Sequence, residues 1–203
     1  MGTRNLTMVI SNGETKIAQY GQWDGYPSGQ GVTVVEFLLN SDMEKFKQTL
    51  ERCRFIEKSP RKQKEMENFL AKIDASDGWM NGEQAQKYHK KYPLLTRDNG
   101  ANILNMVYED DTDKLIWLNN SEDFAADSLF CEWAYVIDLD KNTFEIYEGF
   151  NTNPLTKEDR FYHMKNEGEY SPVKMIKSYD LKQLPKSVAQ FIEDMQEVAK
   201  AED

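Results

Sequence analysis

The chain has 203 residues, with 39% hydrophobic and 12% aromatic content, which suits a folded globular chain and leaves no long single-sign charge block for a disordered tail. Its 35 acidic against 25 basic residues give a net charge of −10, which opposes attraction to phosphate backbones and anionic lipid surfaces. Extended nucleic-acid binding and membrane attachment are therefore disfavoured, and the length points to a single α+β domain over residues 1–203 rather than two.

In chain order, Asn5 to Ile10 is a short strand, Asn12-Gly13 is the preferred pair for a two-residue hairpin turn, and Glu14 to Trp23 is the returning strand. Gln22-Trp23-Asp24-Gly25-Tyr26-Pro27-Ser28-Gly29-Gln30-Gly31 follows, and no strand or helix pattern explains it. Its glycines and proline punctuate the backbone, yet Trp23 and Tyr26 stand where a solvated turn carries small polar residues. The apolar run Val32 to Leu39 is ambiguous between strand and helix; Val34, Phe37 and Leu38 at i, i+3 and i+4 favour helix. Ser41 with Glu44 resembles a capping box, and Phe46, Leu50 and Cys53 continue a helical face to about Arg54.

Residues 57 to 92 are the most charged. Lys58-Ser59-Pro60-Arg61-Lys62 opens a helix with Met66, Phe69, Leu70 and Ile73 as its buried stripe, Asp77-Gly78 and Asn81-Gly82 are turn signals, and Glu83 to Tyr92 forms another short helix. Asp98 to Asn102 opens a helix through Ile103, Leu104 and Val107, and Glu109 to Asp113 is an acidic turn that lacks the glycine and distal glutamate of a calcium loop. The spacing thus predicts a helical insertion over about 41–110. Leu115 to Leu118 is a short strand, Trp133 to Asp138 and Phe144 to Tyr147 form a second hairpin, and Val173 to Tyr179 is a further strand. A C-terminal amphipathic helix turns Val188, Phe191, Ile192, Met195 and Val198 inward. The sum is an α+β fold with a largely antiparallel sheet of about five strands built from two hairpins.

The candidate ligand-binding residues cluster at the first hairpin and its loop: Arg4, Asn5, Gln19, Gln22, Trp23, Asp24, Tyr26 and Gln30. Arg pairs with phosphate or carboxylate, Gln and Asn read amide or base edges, and the aromatics stack on rings. A rigid structural loop, with Asp24 capping a turn and Trp23 and Tyr26 packed on the core, is the competing reading. Trp133 and Tyr135, two apart on one strand, would form a stacking wall opposite. Aromatics on strands are more often half-buried structure, so pairing with the first loop decides their role.

For catalysis the inventory is thin. His89 and His163 have no partner at metal-ligand spacing, and Cys53 and Cys131 read as buried thiols of a reducing compartment. No metal or cofactor is expected. Met1 removal would expose Gly2 rather than an N-terminal nucleophile. The N-terminus has no signal-peptide core, so the expected location is cytoplasmic, the host cytoplasm if the chain is phage-encoded.

Gly2-Thr3-Arg4-Asn5-Leu6-Thr7, then Ala18-Gln19-Tyr20-Gly21 running into Gln22 through Gly31, resembles a family of largely uncharacterised proteins of bacteriophages, bacteria and fungi. Cys131 to Ile137 and Tyr147 to Asn151 are similar to that family's second hairpin. The phage association implies, by analogy, a counter-defence role: a sponge that binds or sequesters a nucleotide-derived immune signal. The alternatives are a metal-independent hydrolase or lyase using Asp24 beside Arg4, and an inhibitor that binds a host protein through its acidic surface and helical insertion. A pocket forms between two copies as readily as within one, which leaves a homo-oligomer open.

Overall fold

The computed structural model describes residues 2–76, 78–165 and 168–202; Asp77 of the Asp77-Gly78 turn signal lies outside them. The fold is α+β, with a five-stranded sheet in the order β2-β1-β5-β6-β7. Strands β1 (Asn5–Ser11) and β2 (Glu14–Gly21) form the first hairpin, and β5 (Trp133–Asp138) and β6 (Thr143–Glu148) the second. Asn12 and Gly13 both have positive φ, 56° and 70°, as the two-residue turn demands. Strand β7 (Lys174–Asp180) pairs antiparallel with β6 at one edge, where its exposed Lys174 resists further pairing. Every junction is antiparallel except β1 with β5, where the two hairpins meet side by side in parallel.

β1 is central in the sheet and both sheet faces are covered, so β1 reads as an almost unbroken buried run rather than an alternation. One sheet face, carrying Asn5, Thr7, Gln19, Trp133, Tyr135, Ile137, Phe144 and Ile146, is covered by α1 (Val32–Asn40) and α6 (Val188–Glu202). Phe191 of α6 packs with Phe144 and Tyr179 there. Irregular chain covers the other face: Phe161 meets Tyr147 edge-on, and Phe124 meets Tyr20.

Several boundaries differ from the sequence reading. Asp42, not Ser41, caps α2 (Met43–Leu50), accepting hydrogen bonds from the amides of Glu44 and Lys45. That helix ends at Leu50, and Cys53–Phe55 is instead a strand, β3, paired in parallel with β4 (Ile116–Leu118) in a separate two-stranded sheet. The helical spacing of Phe46, Leu50 and Cys53 concealed the change, because Cys53 is buried in either geometry.

Helices α3 (Pro60–Lys72) and α4 (Gly82–Lys91) exist, but α3 buries no residue fully: Met66, Phe69, Leu70 and Ile73 are half-buried. The stripe meets mainly α4 and its exit, with Phe69 edge-on to Tyr92 and Tyr88 Oη 3.6 Å from Met66 Sδ. The helix expected from Asp98 is broken. Arg97–Asn102 is a 3-10 turn interrupted at Gly100 (φ 50°, ψ −141°), and α5 (Ile103–Tyr108) follows.

Candidate functional site

The loop after β2 folds onto the start of β1. Gly25 donates its N–H to the Thr3 carbonyl at 2.9 Å, and a Cβ there would lie 2.8 Å from that oxygen, so only glycine fits. Pro27–Gly31 is not irregular, as its composition suggested, but one π-helical turn that runs straight into α1, with Pro27 at its first position. Asp24 holds φ +54°, and its carbonyl accepts the Gln30 amide at 2.8 Å.

Most of the polar candidates turn inward. Asn5, fully buried, donates from Nδ2 to the carbonyls of Gly21 and Trp23, both at 3.3 Å. Gln19, also buried, donates to the carbonyls of Tyr20 (2.6 Å) and Thr96 (3.2 Å). Gln30 donates to the Trp23 carbonyl at 3.2 Å and accepts the Ala101 amide at 2.7 Å. Tyr135, without solvent exposure, donates its hydroxyl to the Gly25 carbonyl at 2.7 Å. Gln22 accepts from the Tyr20 hydroxyl and from Arg97. These groups satisfy backbone that the loop carries into the interior, where an unpaired carbonyl is costly.

The structure separates Arg4 from the aromatic wall. Register pairs Asn5 with Trp133, so Trp133 and Arg4 project from opposite faces of the sheet. The Arg4 guanidinium lies 4.4 Å from the Phe130 ring centre, and its amide donates to Glu132 Oε1 at 3.2 Å. Trp23 and Asp24 are exposed.

Tyr26 and Trp133 do come together. They line a groove of about 280 Å³ in which Tyr26, Pro27 and Ser28 form one wall and Trp133, Glu148 and Ile176 the floor. The opposite wall is the last turns of α6, through Ile192, Met195, Gln196, Val198 and Ala199. Trp133 and Glu148 are cross-strand partners and so share a face; a bulge in β7 opposite Ile146 and Tyr147 accompanies Ile176. Tyr26 remains 54% exposed in this groove. Sequence reasoning missed Glu148, Ile176, Gln196 and Ala199. The readable signal was the apolar stripe of α6, which runs on to Val198 past the core contacts of Phe191 and Met195.

A second polar constellation lies on the opposite face. Arg160 reaches from the chain after β6 to Asp138 (2.6 Å) and to both Glu145 oxygens (2.7 and 2.8 Å), and the Tyr147 hydroxyl donates to Glu145 at 2.6 Å. Burial works to raise both carboxyls. The Lys141 amide and Arg160 outweigh it at Asp138, and Arg160 and the Tyr147 hydroxyl at Glu145, holding both below the usual carboxylate range. Sequence gave no signal for Arg160, which stands in a stretch without periodicity.

The thiols are poor nucleophiles. Burial pushes Cys53 up to about 12 and Cys131 well above its ordinary value. His89 and His163 are exposed. Among the described residues, no group of three or more His, Cys, Asp or Glu side chains is placed to hold a metal ion, and no helix is long and apolar enough to cross a membrane.

No family model matches the chain, and neither a curated protein nor a solved structure does.

Proposed function

We propose that the protein binds and holds a small planar ligand, nucleoside-like in chemistry, in the groove between the Tyr26 loop and α6. The observation that carries this reading is the convergence of exposed Tyr26 and half-buried Trp133 on one concave, mainly apolar site. A ring placed against such aromatics gains about 0.5–1.5 kcal/mol beyond its area burial. Glu148, Gln196 and Ser28 supply the few polar groups that fix orientation in a site of this kind. At about 280 Å³ the groove lies near the lower end of the range for small-ligand sites, roughly 300–1,000 Å³, which favours one ring system over a dinucleotide. Among the described residues no Arg or Lys lines it, so a nucleotide-derived ligand would seat its base here and leave its anionic part toward solvent. The setting we propose is sequestration of such a signal in a phage counter-defence role, on the strength of the motif resemblance.

Isothermal titration against adenosine, cyclic nucleotides and ADP-ribose, with wild type and Trp133→Leu, tests the reading. At least one member should bind wild type, bind Trp133→Leu at least about tenfold more weakly, and be released unchanged on heating. If the folded protein binds none of them, if Trp133→Leu binds equally well, or if the released molecule is chemically altered, the holding function is wrong.

A further inference from the structure

A second cavity, of about 460 Å³, opens where the helical insertion meets the β3–β4 pair. It differs from the groove in charge. Residues 57–92 carry eight Lys and Arg against six Asp and Glu, in a chain with an excess of acids overall. Three lysines from three separate elements line the cavity: Lys62 of α3, Lys91 at the end of α4, and Lys114 just before β4.

The walls are preorganised. Ile116 and Trp117 stand on β4, and Tyr92 is fixed by ring contacts with Phe69 (5.4 Å) and Tyr88 (5.5 Å). Lys62 Nζ lies 5.8 Å from the Trp117 ring centre, and Lys91 Nζ 5.9 Å from that of Tyr92. Two carboxylates also line the cavity, but they are not equivalent. Asp110 is taken up by Arg52 at 2.7 Å, which leaves Glu65, bonded to Lys62 at 2.8 Å, as the other carboxylate of a lining that holds three lysines. A hydrogen bond from Lys62 holds the Glu65 carboxyl below its ordinary range; slight burial opposes it, and the charges of Lys62, Lys91 and Arg61 add to it. Among the described residues, Lys91 and Lys114 make no ion pair. A ring beside ammonium groups, in a positive local field over an apolar floor, suits a ligand that is both planar and anionic.

We infer that this cavity is a binding site for an anion carrying a planar ring, of the mononucleotide class, with the ring against Trp117 and the phosphate toward Lys91 and Lys114. The site is separate from the groove, and either assignment can fail without the other.

The test is calorimetric titration of the full chain with AMP, adenosine and inorganic phosphate. It compares wild type, Trp133→Leu and the double variant Lys91→Gln/Lys114→Gln, with circular dichroism confirming that each is folded. AMP should bind Trp133→Leu, whose groove is disabled, through this site. It should bind the double variant at least about tenfold more weakly, the loss expected for hydrogen bonds to a charged group, and weaken with added salt. Adenosine binding lost in Trp133→Leu and kept in the double variant would leave the two sites independent, as inferred. The inference is overturned if folded wild type does not bind AMP, if the double variant binds it unchanged, if Trp133→Leu abolishes it, or if inorganic phosphate binds as tightly as AMP.

Discussion

Residues 22–31 and the α3–α4 insertion both look, in sequence, like stretches equipped to hydrogen-bond, and they use that capacity in opposite directions. In the loop, Gly25 carries the backbone against β1, so carbonyls enter the interior and the side chains of Asn5, Gln30 and Tyr135 turn in to meet them. In α3 and α4 the helix satisfies its own backbone, so polar side chains are free to face water and the apolar stripe stays half-buried. The chemistry of a side chain therefore announces a capacity, and the path of the nearby backbone decides whether the partner is the protein itself or something outside it. On this view the loop is largely its own ligand, and only Tyr26, Pro27 and Ser28 line the candidate groove.

The comparison breaks most visibly where inward use involves charge. Arg160→Met should destabilise the protein by about 3–5 kcal/mol, read from urea unfolding, because Asp138 and Glu145 would remain buried without a cation. The pH dependence should reverse as well. In wild type both carboxyls titrate below their unfolded values, so their stabilisation is in place above about pH 4 and is lost as pH falls through the depressed folded values. In the variant burial raises them without the opposing charge of Arg160, against only the Lys141 amide at Asp138 and the Tyr147 hydroxyl at Glu145, and the urea midpoint should climb as pH drops from about 7 to about 5. A midpoint that falls over that range would show the carboxylates reaching solvent or another cation.

Next comes the brace of the loop. Gly100→Ala should cost about 2–3 kcal/mol, since alanine is strained at φ 50°, ψ −141° and its Cβ would sit 2.5 Å from Gln30 Oε1. Thermal unfolding unchanged from wild type would show that Gln30 does not hold the loop.

The smallest effect belongs to the insertion. Asn81 caps α4 in a reciprocal box with Gln84, and Asn81→Ala should lose about 1 kcal/mol. With so little of α3 and α4 buried, hydrogen exchange should quicken in those helices and leave β1 amides as they were. Equal acceleration in both places would make the insertion an integral part of the core.

Local chemistry made much of the fold legible. Asn12-Gly13 announced a turn needing two positive φ angles, the alternation from Trp133 to Tyr147 gave the second hairpin, and i, i+3, i+4 spacing chose helix for α1. Long-range pairing was invisible by the same logic, because nothing in β1 or β5 alone states that they lie side by side in parallel. The change from helix to strand at Cys53 was masked by spacing compatible with both. The candidate groove was half legible. Tyr26 and Trp133 stood out as aromatics, whereas Gln196 and Ala199 became neighbours of Trp133 only once α6 was laid across the sheet. Arg160 contacts strands 15 and 22 residues earlier, and one arginine in an aperiodic stretch carries no mark of where it will fold.

The parallel join between the hairpins has a consequence for the order in which the molecule is made. Arg4 and Glu132, 128 residues apart in sequence, come to lie together at its edge. At roughly 5–20 residues per second, a ribosome needs about six to twenty-six seconds between releasing β1 and delivering its neighbour. For that interval the first hairpin presents an open row of backbone donors and acceptors beside Leu6, Met8 and Ile10. The nascent chain is then at its most vulnerable to mispairing, and closure of the sheet waits on the slow, long-range search that such topology imposes.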